Sequence, residues 1–81
     1  MNSAEIKWQR SRGGYTAKAT DRSGRGVYLT ARPAYEEWQW RAYEAGGGYE
    51  ADGPPPRELA SGIEDTLAAA VYAAEAWLAA R

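Results

Sequence analysis

The sequence predicts an α+β fold: an antiparallel meander of four to five strands, packed on one face by a single C-terminal α-helix. Apolar and polar residues alternate with a period of two through much of the first sixty positions, and the period then changes to 3.6. A length of 81 residues allows one small domain with one core. We therefore expect a sheet over about residues 4–60, a Gly/Pro-rich loop at 46–56 and a helix at about 63–80.

The first three strands come from the alternation that runs up to Pro33. They are expected at residues 6–9, 15–20 and 27–32. Gly13 and Gly14 favour a tight hairpin after the first strand, because glycine readily adopts the positive φ of such turns. Residues 21–26 form the second turn. Pro33 is predicted to end the third strand, since proline cannot donate a hydrogen bond within a central ladder.

The fourth strand, at about residues 35–45, has the clearest alternation in the chain. Trp38 and Trp40 share one face, and polar residues occupy the other. We expect both indoles to lie beneath the terminal helix.

A long loop and a short fifth strand follow. The segment 46–56 contains many glycines and three consecutive prolines, which disfavour regular structure. Residues 57–60 are predicted to form the fifth strand, with Leu59 pointing inward.

The C-terminal segment has helical periodicity and high alanine content, both of which favour a helix. Its apolar stripe consists of Ile63, Leu67, Ala70, Val71, Ala74, Trp77 and Leu78. Ser61 with Glu64 matches a capping box, and Asp65 is a competing N-cap.

The two patterns together define an expected core with one covered sheet face. Its sheet side is Ile6, Trp8, Tyr15, Ala17, Val27, Leu29, Trp38, Trp40 and Leu59, and its helix side is Leu67, Val71, Ala74, Trp77 and Leu78. One helix covers one side of a sheet, so the other face should meet water or a partner.

Charge is divided along the chain. Residues 1–32 carry seven basic and two acidic side chains, a net charge of +5, whereas residues 33–81 carry three basic and nine acidic ones, a net charge of −6. The total of −1 therefore conceals a dipolar molecule, which bears on partner attraction rather than on fold.

Positive charge and tyrosine rings are expected together on the uncovered sheet face. The candidate residues for binding a partner or nucleic acid are Lys7, Lys18, Tyr28, Arg32, Arg41 and Tyr43, and the basic turns would add Arg10, Arg12, Arg22 and Arg25. Single-stranded nucleic acid binders combine cations for phosphates with rings for base stacking. The same residue types are also ordinary on a solvated sheet face.

The outer side of the predicted helix carries alanines where charged residues are usual. Ala69, Tyr72 and Ala76 form a candidate homodimer face, because small side chains let a second helix approach closely. Compositional enrichment in alanine is the alternative interpretation.

The composition argues against an enzyme. The chain has no cysteine and no histidine, which removes thiolate nucleophiles, disulfides, the commonest general base and the commonest metal ligands. Glu36 and Glu37 point to opposite faces of the predicted strand, so they cannot act together as acid and base. We expect no catalytic, cofactor or metal site, no membrane span, and a cytoplasmic location in a host cell.

The second half, with Trp38, Trp40 and an alanine-rich helix ending in Trp77 and Leu78, resembles small single-domain proteins of phages and mobile elements. The resemblance implies a protein that binds a host component, as anti-CRISPR inhibitors do. The leading hypothesis is therefore a non-enzymatic inhibitor that occupies the surface of a host protein or ribonucleoprotein complex. A nucleic-acid-binding module and a structural or assembly subunit of a phage particle are the alternatives.

Overall fold

A computed structural model describes residues 6–45 and 57–81 and confirms the predicted fold class. Its elements are β1 (Gln9–Ser11), β2 (Gly14–Thr20), β3 (Gly26–Ala34), β4 (Glu37–Glu44), β5 (Glu58–Glu64) and α1 (Leu67–Ala79). All neighbouring strands are antiparallel, and the five-stranded sheet has the order β1-β2-β3-β4-β5, a simple meander. The loop predicted at 46–56 lies outside the described residues.

Two rows of paired residues contain most of the sheet side of the core, and Val27 of β3 lies in a third. One row crosses β2 to β5 through Ala17, Leu29, Ala42 and Ala60. The next row crosses them through Tyr15, Ala31, Trp40 and Gly62. Small residues dominate the first row, and Ala31 and Gly62 flank Trp40 in the second, which leaves room for the Trp40 indole beneath the helix, where Ala70, Ala74 and Leu78 are buried.

The tryptophans join the sheet to α1, as the alternation predicts. Trp40 is 7% exposed, and its ring centroid lies 6.4 Å from that of Trp77 on the helix. Trp8 donates from Nε1 to Glu75 Oε2 over 2.8 Å, so the segment before β1 is tied to the helix as well. Trp38 is half-buried against the same core.

Three of the residues predicted for the core do not belong to it. Tyr15 is half-buried and contacts Trp38 with ring centroids 6.3 Å apart. Val71 is half-buried on α1 outside the core cluster. Leu59 lies beside the irregularity in the β4–β5 pairing at Ala42 and Tyr43, and Ala60 packs against the core in its place.

The first strand lies later in the chain than its alternation predicts. Ile6 and Trp8 pack against the core but precede β1, which pairs Gln9 with Thr16 and closes through a two-residue turn after Ser11. Burial of the apolar residues was therefore predicted correctly. Strand pairing was not, because alternation reports burial and not hydrogen bonding.

The prediction that Pro33 ends the third strand was wrong. Pro33 lies inside β3 and pairs with Trp38. Since β2 begins at Gly14, this part of β3 has a strand neighbour on one side only, a position where proline is tolerated. The fourth strand accordingly begins at Glu37, after a two-residue turn whose first residue, Tyr35, has a φ of 61°.

The boundary between the fifth strand and the helix also differs from the prediction. β5 continues to Glu64, so the predicted helix start at residue 63 and both predicted caps were wrong. The N-cap is Thr66, whose Oγ1 accepts a hydrogen bond from the Ala69 N–H over 3.1 Å. Gly62 lies within β5, directly beneath the Trp40 indole. A Cβ at this position would come within 2.5 Å of Trp40 Nε1, so the close packing of the indole requires glycine there.

Candidate functional site

The sheet face opposite α1 brings together the basic and tyrosine side chains singled out in the sequence. Lys18 pairs with Tyr28, and Tyr28 pairs with Tyr43, so the three form one row across β2, β3 and β4. Arg41 lies one row further along, opposite Thr30, and Arg32 lies one row beyond that. We call the surface formed by Lys18, Tyr28, Arg32, Arg41 and Tyr43 the cationic face.

The geometry of a sheet sets the spacing of these groups. Neighbouring strands lie about 4.8 Å apart, and residues on one face repeat about every 7 Å along a strand. The Cα atoms of Lys18, Arg32 and Arg41 therefore fall within roughly 15 Å of one another. Thr30, at the centre of this face, is only 4% exposed because its longer neighbours cover it.

Arg41 is held in place by two neighbours on the same face. Its Nη1 donates to the Tyr43 hydroxyl over 3.5 Å, and its Nε lies 3.8 Å from Glu58 Oε1. The Tyr43 hydroxyl, and to a smaller extent the Glu58 carboxylate, raises the pKa of Arg41 above its already high ordinary value. Arg41 is therefore a fixed, permanently charged group, partly neutralised by Glu58.

Arg32 is the exposed arginine of the cationic face. Its Nη1 donates to the Arg12 carbonyl oxygen over 3.4 Å, which directs the guanidinium toward the β1–β2 turn. Within residues 6–45 and 57–81, the carboxylates on this side of the sheet are Glu58, which contacts Arg41, and Glu37, which pairs with Ala34 at the hairpin end. The face therefore keeps a positive balance, concentrated on β2 and β3.

Ile63 belongs to this surface, although its spacing placed it on the predicted helix. It pairs with Gln39, which pairs with Arg32 on the other side, and it is 54% exposed. Ile63 therefore adds an apolar side chain beside the positive charge. Its β-branched side chain favours a strand over a helix, which is the signal that could have identified it.

The basic turns flank the cationic face without belonging to it. Arg12 is exposed in the β1–β2 turn, and Arg22 and Arg25 are exposed in the turn between β2 and β3 at the other end of the sheet. Arg10 was wrongly placed in a turn: it lies within β1, paired with Tyr15 on the helix side.

The turn between β2 and β3 is closed by Asp21. Its Oδ1 accepts hydrogen bonds from the Ser23 hydroxyl over 2.7 Å and from the backbone N–H groups of Ser23 and Arg25 over 2.9 and 3.0 Å. Its Oδ2 lies 3.5 Å from Arg81 Nε, and the Arg81 guanidinium stacks 4.8 Å from the centroid of Trp77. One carboxylate thus joins the turn to the chain segment after α1.

These contacts make the stability of the protein depend on pH. The Ser23 hydroxyl and the Arg25 N–H, with a smaller contribution from Arg81, lower the pKa of Asp21 below its ordinary value of 3.8. A lowered folded-state pKa stabilises the fold above the unfolded-state pKa, and this contribution disappears as the pH falls through the folded-state pKa. We expect Asp21→Asn to be less stable than the original protein at pH 6 and the difference to be smaller at pH 2. Urea titrations at both values measure this; an equal difference at the two values contradicts it.

The candidate dimer face is only partly available. Tyr72 is 74% exposed and Ala76 is exposed, whereas Ala69 is half-buried and its N–H is used by the Thr66 cap. Ala69 therefore does not belong to the exposed stripe of α1, because it lies next to the buried Ala70 and is partly covered. The homodimer stays a prediction that rests on Tyr72 and Ala76.

Residues 6–45 and 57–81 contain no group of three or more acidic side chains placed to hold a metal ion. In the same ranges, no helix is long and apolar enough to cross a membrane. No family model, no curated protein and no solved structure matches this chain, so its site is described by its own residues alone.

Proposed function

We propose that this chain is a non-enzymatic binding protein whose cationic face, extended by Ile63, binds a protein partner carrying acidic and apolar side chains. The observation that carries the proposal is the position of Ile63, 54% exposed in the same row as Arg32 and Gln39. Protein interfaces combine tyrosine and arginine anchors with apolar contact, and they are rimmed by polar groups. An exposed isoleucine adds nothing to the binding of phosphates.

The extent of the face fits one side of a modest interface. The five strands are three to nine residues long, and at about 4.8 Å between strands and about 3.3 Å per residue they span roughly 550 Å². A standard interface takes about 800 Å² from each partner. The exposed Arg12, Arg22 and Arg25 at the two ends of the sheet would supply further contact area and would speed association with an acidic surface.

A second candidate function, the binding of single-stranded nucleic acid, is favoured by one observation. Tyr28 and Tyr43 are cross-strand neighbours, with Lys18 beside them in the same row. Bases stacking on such rings would contribute about 1–3 kcal/mol each, and Lys18 would pair with a phosphate.

We expect quantitative capture from a nuclease-treated bacterial lysate to separate these functions. Ile63→Glu and Arg32→Glu should each lower capture of the specific partner about 30-fold, the loss expected when an anchor worth about 2 kcal/mol is removed. Ala68→Glu, at an exposed position in the first turn of α1 and outside the candidate dimer face, is the matched control and should retain capture. Equal capture by all four proteins contradicts the proposed surface.

The nucleic acid alternative has its own measurement. Fluorescence anisotropy with a labelled 15-nucleotide poly-dT or poly-U strand at about 50 mM salt should show binding only if that candidate is right, and log K should then fall steeply with log salt. If Ile63→Glu leaves this binding unchanged and Tyr28→Leu abolishes it, the partner of the cationic face is a nucleic acid and not a protein.

The finer version of the proposal is an inhibitor of phage or mobile-element origin that acts on a host protein or ribonucleoprotein complex. What supports it is the resemblance of the β4-to-α1 half to small proteins of that kind. A partner captured through Ile63 that loses its own activity on binding is the outcome expected of such an inhibitor.

A further inference from the structure

A depression opens at one corner of the sheet, on the cationic side, where β1, β2 and β3 lie side by side. It has a volume of about 480 Å³, within the range of small-molecule sites, and is lined by Lys7, Gln9, Thr16, Ala17, Lys18 and Tyr28. Ile63, on the opposite edge strand of the sheet, does not line it. The corner is therefore separate from the apolar end of the cationic face.

The depression is lined by positively charged groups and other hydrogen-bond donors. Two ammonium groups, an amide and two hydroxyls can all donate hydrogen bonds, and among the described residues no carboxylate lines the depression. Within the part of the chain that the structure describes, the acidic side chain in the same row as Lys18 and Tyr28 is Glu58. It lies on β5, the opposite edge strand, and contacts Arg41. The depression therefore offers positive charge and donors to whatever enters it.

Both lysines line the same depression. Lys7 lies two residues before Gln9, where the pairing of β1 with β2 begins, and Lys18 lies two residues after Thr16, the partner of Gln9. Two like charges at one depression repel each other. An anion between the two ammonium groups would convert this repulsion into two charge-assisted hydrogen bonds.

Tyr28 gives the site a second recognition element. It is half-buried, pairs with Lys18 and carries its ring at the wall of the depression. An aromatic ring beside a pair of cations matches a ligand that has both a planar ring and a phosphate.

We propose that this corner binds a nucleoside phosphate, with Lys7 and Lys18 on the phosphate, Tyr28 against the base, and Gln9 and Thr16 on the remaining polar groups. The shared chemistry is a phosphate ester next to a base, which a free mononucleotide and a nucleotide at a strand end both supply. This site shares Lys18 and Tyr28 with the cationic face, but binding of a nucleotide goes beyond the proposed binding of a protein and does not depend on it.

The test is a titration of the ¹⁵N-labelled full chain with adenosine 5′-monophosphate, followed by amide chemical shifts at constant ionic strength. We expect saturable shifts centred on Gln9, Thr16, Lys18 and Tyr28, and an affinity at least tenfold tighter than that for inorganic phosphate or adenosine. A parallel titration with a 5′-phosphorylated deoxyadenylate decamer identifies the source. Equal affinity assigns a free nucleotide, and a tenfold gain assigns a strand.

Two matched double variants separate this site from general attraction by positive charge. Lys7→Met with Lys18→Met should weaken adenosine 5′-monophosphate binding at least tenfold. Arg22→Met with Arg25→Met removes the same charge from the neighbouring exposed turn and should change it less than twofold. Equal losses in the two, or a nucleotide affinity no better than that of phosphate, overturn the proposal.

Ile63→Glu distinguishes failure of this site from failure of the proposed function. It should abolish capture of a protein partner while leaving nucleotide binding intact. Loss of nucleotide binding in a folded Ile63→Glu variant overturns the separate corner site.

Discussion

Trp40→Ala is expected to lower the free energy of unfolding by about 3–5 kcal/mol, the range for removal of a buried tryptophan. Trp40 is 7% exposed, contacts Trp77 on α1 and lies directly above Gly62 of β5. Trp40 therefore links the sheet to α1, the only helix among the described residues. A domain of this size has a total stability of about 4–12 kcal/mol, so the variant should be close to unfolding at 37 °C. Urea denaturation followed by far-ultraviolet circular dichroism measures the loss.

Two further variants separate burial from the loss of an indole. Trp38 is half-buried, and Trp38→Ala should cost only about 1–2 kcal/mol. Trp40→Phe should cost less than Trp40→Ala, because it keeps an aromatic ring and leaves a smaller cavity. The buried Trp40 Nε1 has no hydrogen-bond partner among the described residues, so removing that N–H offsets part of the lost packing. Equal losses for Trp38→Ala and Trp40→Ala would contradict the central position assigned to Trp40.

The fold could be predicted because its two periods are well separated in the chain. Trp38 and Trp40 alternate with polar residues over a whole strand, and Ala70, Ala74 and Leu78 follow helical spacing. Each pattern determines which side chains are buried together. The packing of one stripe on one sheet face then follows, since each element has a single apolar side to bury.

The boundary between β5 and α1 could not be predicted, because its determinants are tertiary. Gly62 is unfavourable in an isolated strand and indicates a break, but the indole of Trp40 requires the absence of a Cβ there. Ile63 fits the apolar spacing of the helix as well as a strand. Thr66 was not among the predicted caps, although threonine is a common N-cap residue, and only the end of β5 selects it.

The candidate site was partly predictable for the same reason. Lys18, Arg32 and Arg41 share a face because strand alternation fixes the side on which each lies. The residues that lie beside them on adjacent strands depend on the pairing register, which the alternation within each short strand does not specify. Neither the contact of Arg41 with Glu58 nor the position of Ile63 beside Gln39 follows from local pattern.

Gly14→Ala is the second substitution with a large expected effect, because the added methyl group would overlap backbone atoms of β3. A Cβ at Gly14 would overlap the carbonyl oxygen of Ala31 on β3 and lie 3.0 Å from Arg32 Cγ. A carbonyl within a paired strand cannot move without breaking the ladder. We expect a loss of about 3 kcal/mol, at the upper end of the range for overpacking, and displacement of the β1–β2 hairpin from β3.

Gly24→Ala is the matched control, since Gly24 has a φ of 91° but no atom lies within 4 Å of the position that a methyl group would take there. It should cost about 1–2 kcal/mol, from the left-handed backbone alone. Because Gly14 also lies against Arg32, Gly14→Ala should alter the cationic face, whereas Gly24→Ala should not. Amide exchange in β1 and β2, compared with that in β4, measures the displacement. If amide exchange in β1 and β2 were the same in Gly14→Ala as in Gly24→Ala, the β1–β2 hairpin would not depend on close packing at Gly14. The position of Arg32 on the cationic face would then need another cause.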